Sequence, residues 1–312
     1  MRPRSSNPGG RQSPAAAPPE NRTLNTENSR GYPRAPRESS ALSTPDTLLI
    51  IAGNGRYPFQ LAEAARRQGV KRLCAAAFEN ETDPALASLV DDLRWLRVGQ
   101  LGKLTAYAKE TGATKAIMAG QIAPKNLFDL RPDFAALLVL AKLKERNAET
   151  LFGAVADQLA KTGVELLPAT TFLEEFLAPE GHFAGPTPRR RTNDDVAFGL
   201  RIAKEVSRLD IGQTVVVRNG TVLAVEGFEG TNDAIKRGAA LGRGQAVAVK
   251  VSKPNQDFRF DVPVIGPLTL EAGASAGLSA LAVEAGRTLL VEPDRLRALA
   301  NEHKISIIGV KS

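Results

Sequence analysis

The residues best suited to chemistry lie in one short segment, residues 226–233, which read Glu-Gly-Phe-Glu-Gly-Thr-Asn-Asp. Its two glutamates, Glu226 and Glu229, follow an apolar run, and Gly230 precedes a stretch with helical spacing. A glycine at the start of a helix exposes unpaired backbone N–H groups at the positive end of the helix dipole, which favours phosphate. Neighbouring carboxylates can hold a divalent cation that bridges the same phosphate. The segment therefore predicts phosphoryl chemistry.

Two predicted elements position this segment. The β-branched runs at residues 214–218 and 221–225 flank an Asn-Gly dipeptide, which accepts positive φ at both central positions of a two-residue turn. A β-hairpin is therefore expected to deliver the carboxylates. Thr231 or Asn232 is expected to cap the helix that follows.

Charged and amide side chains alternate beyond the next predicted strand, residues 245–251. They are Lys250, Lys253, Gln256, Asp257, Arg259 and Asp261. Spacing alone favours opposed charges along a solvated strand, and contact with a ligand is the alternative interpretation.

A second candidate site follows the apolar strand predicted at residues 47–52. A Gly-Asn-Gly turn at residues 53–55 and a helix come next, an order typical of loops that bind phosphate or nucleotide. The third glycine of the dinucleotide pattern is replaced by Pro58, so a plain strand-to-helix turn is an equally good interpretation. Gly120 and Gln121 end another predicted strand, where doubly wound sheets open towards ligands, and Gln121 is expected to contact ligand.

Residue counts exclude two common kinds of active site. The chain has one cysteine, Cys74, in an apolar run that predicts a core position, and two histidines, His182 and His303. A histidine-rich zinc or iron site is therefore excluded, and neither histidine lies in a nucleophile motif. Carboxylate, amide, hydroxyl, lysine and arginine groups remain, together with a hard metal ion that prefers oxygen ligands.

Charge and hydropathy limit the partners. The net charge is +7, but seven arginines and three glutamates in the first forty residues contribute +4 of it. Aromatic residues make up only 5% of the chain, so a nucleic-acid interface is disfavoured. No stretch reaches the ~20 apolar residues of a membrane span, so a soluble protein is expected, and surface association with a membrane stays open.

Alternating strands and helices of moderate length predict an α/β fold with two α/β domains, the first of them Rossmann-like with a mostly parallel sheet. A disordered tail rich in Pro, Arg and Ser is expected at residues 1–45, which hold eight of the twenty prolines. The first domain is expected at residues 46–175, a linker at 176–195, and a C-terminal α/β domain with the catalytic motifs at 196–312.

Three local expectations complete the prediction. Trp95 is expected in the core because its neighbours are apolar. A helix capped by Asn193 is expected to end at Leu209. Another helix is expected to extend to about Glu284.

Several short motifs are spaced along residues 48–311. They are Ile51-Ala-Gly-Asn-Gly-Arg-Tyr-Pro58, Ala119-Gly120, Arg208-Leu-Asp-Ile-Gly-Gln213, Val225-Glu226 with Glu229-Gly-Thr231, Lys250 with Lys253-Pro254 and Gln256, Arg259-Phe-Asp261, Ile265-Gly266, and Glu284-Ala-Gly-Arg287. Together they resemble the LpxI family, the UDP-2,3-diacylglucosamine pyrophosphatases of lipid A and lipopolysaccharide biosynthesis.

The resemblance implies hydrolysis of UDP-2,3-diacylglucosamine to 2,3-diacylglucosamine 1-phosphate (lipid X) and UMP. It also implies Mg²⁺ as cofactor, attack by water on the phosphorus next to uridine, and two α/β domains that clasp the substrate. The implied location is the bacterial cytoplasm, with peripheral contact at the inner face of the inner membrane left open. A homodimer is expected from the family alone.

One position departs from the family pattern. Members read Glu-Gly-Thr-Asp, and that aspartate is implicated in catalysis, whereas this chain has Asn232 there and a carboxylate one residue later, at Asp233. One step along a helix rotates a side chain by ~100°, so the two positions are not equivalent. Asparagine can offer an oxygen to Mg²⁺ but cannot act as a base. We expect the enzyme to remain active, with a shifted site, with Glu226, Glu229 or Asp261 carrying the metal, or with lowered activity.

The candidate residues fall into three groups. The catalytic candidates are Asn232, Asp233, Glu229, Lys253 and Asp261. The substrate-binding candidates are Gly53, Asn54, Gly55, Gly120, Gln121, Gln213, Gly230, Thr231, Lys250, Gln256 and Arg259. The metal-binding candidates are Glu226, Asp233 and Asp261. The cationic candidates are expected to offset negative charge that builds on the diphosphate during reaction.

Two other functions stay open. The first is a UDP-sugar-lipid binding protein of the same family without turnover, which Asn232 favours. The second is a Rossmann-type dehydrogenase. It is disfavoured because the glycine turn lacks its third glycine and no clear ribose-binding acid stands ~20 residues downstream.

Overall fold

The computed structural model describes residues 44–122, 132–143 and 148–311. The described residues form one compact unit. The disorder predicted for the N-terminal tail falls, up to residue 43, outside the described residues. In the described part of the chain, no helix combines the length and apolar character needed to cross a membrane.

The N-terminal half, residues 44–176, is built on a five-stranded sheet. Its strands are β1 (Thr47–Ala52), β2 (Arg72–Phe78), β3 (Asp92–Leu96), β4 (Lys115–Ala119) and β5 (Glu165–Leu166), and its helices are α1 (Tyr57–Arg67), α2 (Leu101–Thr111), α3 (Phe134–Leu140) and α4 (Ala148–Ala160). All strand pairs are parallel, in the order β3-β2-β1-β4-β5. This is a Rossmann-like order, and it confirms the predicted parallel α/β fold.

Helices cover both faces of this sheet. Leu48 and Ile50 of β1 pack in the cluster that contains α1, whereas Leu49 and Ile51 pack in the cluster that contains α2 and α4. Alternate residues of a strand face opposite sides, so a strand covered on both faces reads as a continuous apolar run. The β1 sequence Leu-Leu-Ile-Ile has this property.

The C-terminal half, residues 177–311, is built on a mixed six-stranded sheet. Its strands are β6 (Gly181–Ala184), β7 (Thr214–Arg218), β8 (Thr221–Val225), β9 (Ala246–Lys250), β11 (Leu278–Glu284) and β13 (Ser306–Val310), and its helices are α5 (Arg190–Arg208), α6 (Thr231–Leu241), α7 (Pro267–Ser275) and α8 (Pro293–Glu302). The order is β6-β13-β11-β9-β7-β8, with β9, β11 and β13 parallel and the outer strands antiparallel. Strands β10 (Val264–Ile265) and β12 (Leu289–Leu290) form a separate parallel pair.

The two halves share one apolar cluster. Leu289 and Val291 belong to the same cluster as β1 and α1. Gln60 of α1 adds two polar contacts, since its side chain donates to the Leu290 carbonyl at 3.0 Å and accepts from the Glu292 N–H at 3.1 Å. The halves are therefore joined by packing and by specific hydrogen bonds.

The structure corrects several local predictions. Trp95 is 40% exposed, because β3 is the edge strand of its sheet. Helix α5 begins at Arg190 with Arg189 as N-cap, so Asn193 lies inside it. The predicted linker, residues 176–195, therefore holds the start of α5 as well as β6, which pairs with β13.

The largest correction concerns the helix predicted to reach Glu284. Helix α7 ends at Ser275, and Gly277 has a φ of 79°, which a helix cannot accommodate. Residues 278–284 then form β11, a central strand that is buried almost throughout. A short apolar run buried on both faces carries no two-residue alternation, so its sequence resembles a buried helix segment.

Candidate active site

The predicted hairpin forms from β7 and β8, and a buried carboxylate holds its turn. Asn219 and Gly220 have φ angles of 50° and 70°, as the Asn-Gly sequence predicts. Their N–H groups each donate to Asp195 of α5 at 2.9 Å. Glu226 follows β8 at the end of the hairpin away from this turn, where its N–H donates to the Thr214 carbonyl at 2.8 Å, and it is 7% exposed.

Helix α6 begins beside Glu226, and its first turn differs from the prediction. Gly230 is the N-cap, with φ 85° and ψ 169°, whereas Thr231 or Asn232 was expected in that role. The Thr231 hydroxyl instead donates to Glu226 Oε1 at 2.8 Å and accepts from Lys250 Nζ at 2.6 Å. Thr231 therefore links a carboxylate and an ammonium group at the positive end of α6.

Lys250 is the buried cation of the site. It is the last residue of β9 and is 5% exposed. Burial lowers the pKa of Lys250, because the charged ammonium is poorly solvated, and the carboxylates of Glu226 and Asp261 act in the opposite direction. Lys250 thus shares its surroundings with two acids.

Residues 251–263, here called the polar loop, connect β9 to β10 and carry most of the other polar candidates. Lys253 Nζ donates to the Asp210 carboxylate, and the Lys253 N–H donates to Gln256 Oε1 at 2.7 Å. Burial raises the pKa of Asp261, while the positive charges of Lys253 and Lys250 lower it. The polar loop thus brings a second acid, Asp261, and a second lysine, Lys253, to the site of the buried Lys250.

Arg259, also in the polar loop, is paired within the loop itself. Its Nε lies 3.0 Å from Asp257 Oδ1, and its Nη2 lies 2.6 Å from Asp257 Oδ2. This two-point contact holds the guanidinium in a fixed plane. In the present conformation Arg259 is therefore oriented by Asp257.

Ala169, which follows β5, joins the polar loop to the Gly-Asn-Gly turn. Its N–H donates to the Phe258 carbonyl at 2.7 Å, and its carbonyl accepts from the hydroxyl of Tyr57, the first residue of α1. The ring of Phe260 lies 5.8 Å from the ring of Phe152 on α4. The polar loop is therefore fixed to the N-terminal half beside the start of α1.

The turn itself lies at the carboxyl ends of β1 and β4, where the strand order reverses. The Gly53 N–H donates to the Ala119 carbonyl at 2.7 Å, and the Asn54 N–H donates to the Gln121 carbonyl at 2.8 Å. A Cβ on Gly53 would lie 2.6 Å from the Gln121 oxygen, and one on Gly120 would lie 2.6 Å from the Asn54 oxygen. Both glycines are needed because the two loops touch backbone to backbone.

At this edge of the sheet, one residue of the turn is bonded within the protein and others are exposed to solvent. The Asn54 amide donates to Glu81 Oε2 at 2.8 Å, and Glu81 is 8% exposed. Gly55, with φ 84°, and Gln121 are exposed. This arrangement leaves the turn accessible to a ligand while the loop after β2 supports it.

Two acidic candidates lie apart from Lys250. Glu229 accepts from Arg237 at 2.5 Å, and this hydrogen bond lowers the pKa of Glu229. Asp233 has a side chain that is 66% exposed and lies 3.6 Å from Lys236. Both carboxylates are thus engaged with basic residues of α6 near solvent.

Sequence reasoning missed several polar residues that the structure brings to the site. Asp210 was noted only as part of a motif, yet it pairs with Lys253. Glu284 is 1% exposed and contacts the first residues of the polar loop. The motif that begins at Glu284 was the available signal, but its assignment to a helix concealed the position.

The donor groups were tested for their fit to Mg²⁺. Among the described residues, no group of three or more His, Cys, Asp or Glu side chains is placed to hold a metal ion. Mg²⁺ commonly takes only one or two protein carboxylates and completes its shell with phosphate oxygens and water. Gln213 Oε1 is buried and accepts no hydrogen bond from the described residues, while the Gln213 N–H donates to Glu226 Oε2 at 3.4 Å. These oxygens fit a cation that also binds substrate.

Comparison with known proteins identifies the family. The LpxI N-terminal domain model matches residues 47–176, and the LpxI C-terminal domain model matches residues 179–308. A UDP-2,3-diacylglucosamine pyrophosphatase LpxI from Caulobacter vibrioides is 32% identical over 274 residues, which cover 84% of this chain and 97% of that protein. The chain belongs to the LpxI family. The resemblance drawn from the motifs is thereby confirmed.

A solved structure with a weak likeness adds nothing to this assignment. The biotin carboxylase subunit of pyruvate carboxylase aligns with 59% of this chain and only 36% of its own, at 15% identity and a TM-score of 0.23. A likeness of this size supports no conclusion about fold or activity. The roles given above to individual residues of this LpxI family member stay predictions.

Proposed function

We propose that this LpxI family member hydrolyses UDP-2,3-diacylglucosamine to UMP and 2,3-diacylglucosamine 1-phosphate. Support comes from the activity in the name of the Caulobacter relative, almost all of which this chain covers. The structural observation that carries the proposal is the contact of Lys250 and Glu226 through Thr231 at the start of α6. A cation, a hydroxyl and the positive end of a helix in one place support binding of a diphosphate.

The positive groups would act on the diphosphate. Charge on the bridging and terminal oxygens grows as the phosphorus–oxygen bond breaks, and fixed positive groups stabilise that state more than the bound substrate. Lys250 and Lys253 supply this charge, and Arg259 supplies more once its contact with Asp257 is shared with substrate. The Gly-Asn-Gly turn supplies the exposed backbone of Gly55 on the side of the N-terminal half.

Asp261 is the proposed acceptor of the proton from water. Water attacks the phosphorus next to uridine, the bond from that phosphorus to the bridging oxygen breaks, and a carboxylate oxygen of Asp261 takes the proton. Asn232 cannot take this proton. The raised pKa of Asp261 brings the carboxylate closer to the range in which a general base is effective.

We also propose Mg²⁺ as the cofactor. Glu226 and Gln213 Oε1 would hold it, because both are hard oxygen donors, the Gln213 N–H donates to the Glu226 carboxylate, and Gln213 Oε1 accepts no hydrogen bond from the described residues. When bound, the cation would neutralise charge on the diphosphate and orient its oxygens.

The test is an assay of the purified protein with UDP-2,3-diacylglucosamine, with and without Mg²⁺, in which mass spectrometry detects UMP and lipid X. We expect Mg²⁺-dependent formation of both products. The Asn232→Asp variant, assayed in parallel, shows how much activity the asparagine has removed. If neither protein forms product and the substrate changes neither melting temperature, the proposed activity is wrong.

A second candidate function is binding of the UDP-sugar lipid without turnover. Asn232 favours it, and so does the exposed position of Asp233, which is paired with Lys236 rather than with the buried cluster. This function predicts that substrate raises the melting temperature while no UMP appears. Turnover in Asn232→Asp alone would identify the chain as a binding protein derived from an enzyme.

We propose a cytoplasmic location with peripheral contact at the inner face of the inner membrane. Helix α3 supports this, because Phe134, Leu137 and Leu138 are 74%, 51% and 50% exposed. Exposed aromatic and aliphatic side chains of a helix can insert into a lipid interface. Co-sedimentation with phospholipid vesicles, compared between the wild type and Phe134→Ser, tests the contact.

The homodimer stays a prediction that light scattering can check.

A further inference from the structure

Glu284 lies at the end of β11, beside the first residues of the polar loop, and its carboxylate is almost fully buried. Its side chain is 1% exposed. Glu284 Oε1 accepts from Lys204 Nζ of α5 at 2.8 Å. Glu284 Oε2 accepts from both the N–H and the hydroxyl of Ser252, each at 2.7 Å. A buried carboxylate is thus held by a cation on one side and by the start of the polar loop on the other.

Arg287 extends these contacts to the middle of the polar loop. Its Nε donates to Ser252 Oγ at 2.8 Å and lies 3.5 Å from Glu284 Oε1. Its guanidinium carbon lies 4.8 Å from the centre of the Phe258 ring. The Phe258 carbonyl accepts from Ala169 of the N-terminal half. One set of contacts therefore runs from α5 through the polar loop to the N-terminal half.

We propose that Glu284 is a positioning residue, which with Lys204, Ser252 and Arg287 fixes the polar loop so that Lys253 and Asp261 meet the diphosphate. These four residues are called the Glu284 cluster. The proposal rests on the proposed function, because it concerns the same site. Glu284 itself is placed too deep to contact substrate, so its effect on turnover passes through the loop.

A structural role alone is the competing explanation, and the chain offers a matched control for it. Asp195 is also a buried carboxylate of the C-terminal half, and it also accepts from two N–H groups, those of Asn219 and Gly220. Asp195 holds the hairpin turn and not the polar loop. Asp195→Asn should therefore destabilise the fold without moving Lys253 or Asp261.

The experiment compares Glu284→Gln with Asp195→Asn in the full chain. Whichever way the glutamine amide is turned, its NH₂ group faces a donor, either Lys204 or Ser252, so one contact is lost. We expect faster hydrogen exchange in peptides covering residues 251–263 of Glu284→Gln alone. We expect kcat to fall by roughly 10- to 100-fold with a smaller change in KM, since a misplacement of about 1 Å can cost roughly 100-fold. Asp195→Asn should keep its kcat at a similar loss of melting temperature.

Arg287→Lys covers the case in which Glu284→Gln does not fold. It keeps a positive charge beside Glu284 and removes the guanidinium that lies over the Phe258 ring, at a side chain that is 37% exposed. For Arg287→Lys we expect the same faster hydrogen exchange in residues 251–263, with a smaller loss of kcat than in Glu284→Gln. The proposal would be overturned if Glu284→Gln, or Arg287→Lys in its place, had the same hydrogen exchange in residues 251–263 and the same kcat as Asp195→Asn. If the wild type shows no hydrolysis, the proposed function fails, while loop exchange still decides whether the Glu284 cluster positions the loop.

Discussion

At the scale of single residues, the site is defined by two ionisable groups whose pKa values move towards each other. Burial lowers the pKa of Lys250 and raises that of Asp261, so both protonation equilibria shift towards neutral pH. The two other acidic candidates, Glu229 and Asp233, lie near solvent beside basic partners. Opposed shifts within one cluster are a feature of sites that move protons.

Asp261→Asn should separate catalysis from stability. Because the folded-state pKa of Asp261 lies above its ordinary value of 3.8, ionised Asp261 opposes folding at neutral pH. The variant should therefore keep or slightly raise its melting temperature at pH 7, while kcat falls by roughly 100-fold or more. The comparison is Asp233→Asn, which should retain most activity. A parallel loss of melting temperature and kcat in Asp261→Asn would argue for a purely structural acid.

Lys250 should give stability and activity opposite pH dependences. Its folded-state pKa lies below the ordinary 10.5, so between the two values the unfolded chain binds more protons. The free energy of unfolding should then rise with pH through this window, whereas kcat should fall as the ammonium loses its proton. Lys250→Met should lose the rise in stability, and the exposed Lys236→Met should keep it. A basic limb of kcat that persists in Lys250→Met would exclude this assignment.

At the scale of elements, the position of α6 depends on one glycine. Gly230 has φ 85°, and a Cβ there would meet no atom within 4 Å, so an added methyl group would act through backbone strain alone. Gly244, which precedes β9, has φ 78° and equally open surroundings. Gly244 therefore gives a comparison in which an added methyl group also strains a positive-φ backbone, but outside the first turn of α6.

Gly230→Ala and Gly244→Ala should therefore each lose stability, about 1–3 kcal/mol, in denaturant unfolding. Only Gly230→Ala should also lower kcat, because the strain is relieved by moving the first turn of α6 and with it Thr231. Equal kcat values for the two variants would mean that the helix start does not bind the reacting groups.

The sequence predicts the helices, strands and turns of this chain better than the contacts of their side chains, and particular residues show why. The Asn-Gly turn was predictable because positive φ at two successive positions admits few residue types. The cap of α6 was not, because Thr231 bonds to Glu226 and Lys250, two partners that only the fold brings together. The role of Glu284 was hidden for the same reason, since β11 carries no alternation to reveal it as a strand.

At the scale of the whole molecule, the proposed site draws on residues of both halves and so depends on their relative position. The Gly-Asn-Gly turn belongs to the N-terminal half, and Lys250 and α6 belong to the C-terminal half. Gln60 and Ala169 supply specific contacts between them. A ligand that touches both halves binds more weakly when it must first order them, because that ordering costs conformational entropy.

Gln60→Ala should therefore weaken binding of UDP as well as stability. The variant loses two hydrogen bonds between the halves, at about 1 kcal/mol each. Gln68→Ala, at the C-cap of α1, loses one bond, to the Phe172 carbonyl at 2.8 Å within the N-terminal half. Bound UDP raises the free energy of unfolding by RT ln(1 + [L]/Kd), about 2.7 kcal/mol at 100 times Kd. We expect thermal-shift titrations to give a higher Kd for Gln60→Ala than for Gln68→Ala or the wild type, and no shift with NADH. Equal Kd values in all three proteins would show that UDP is bound within one half alone.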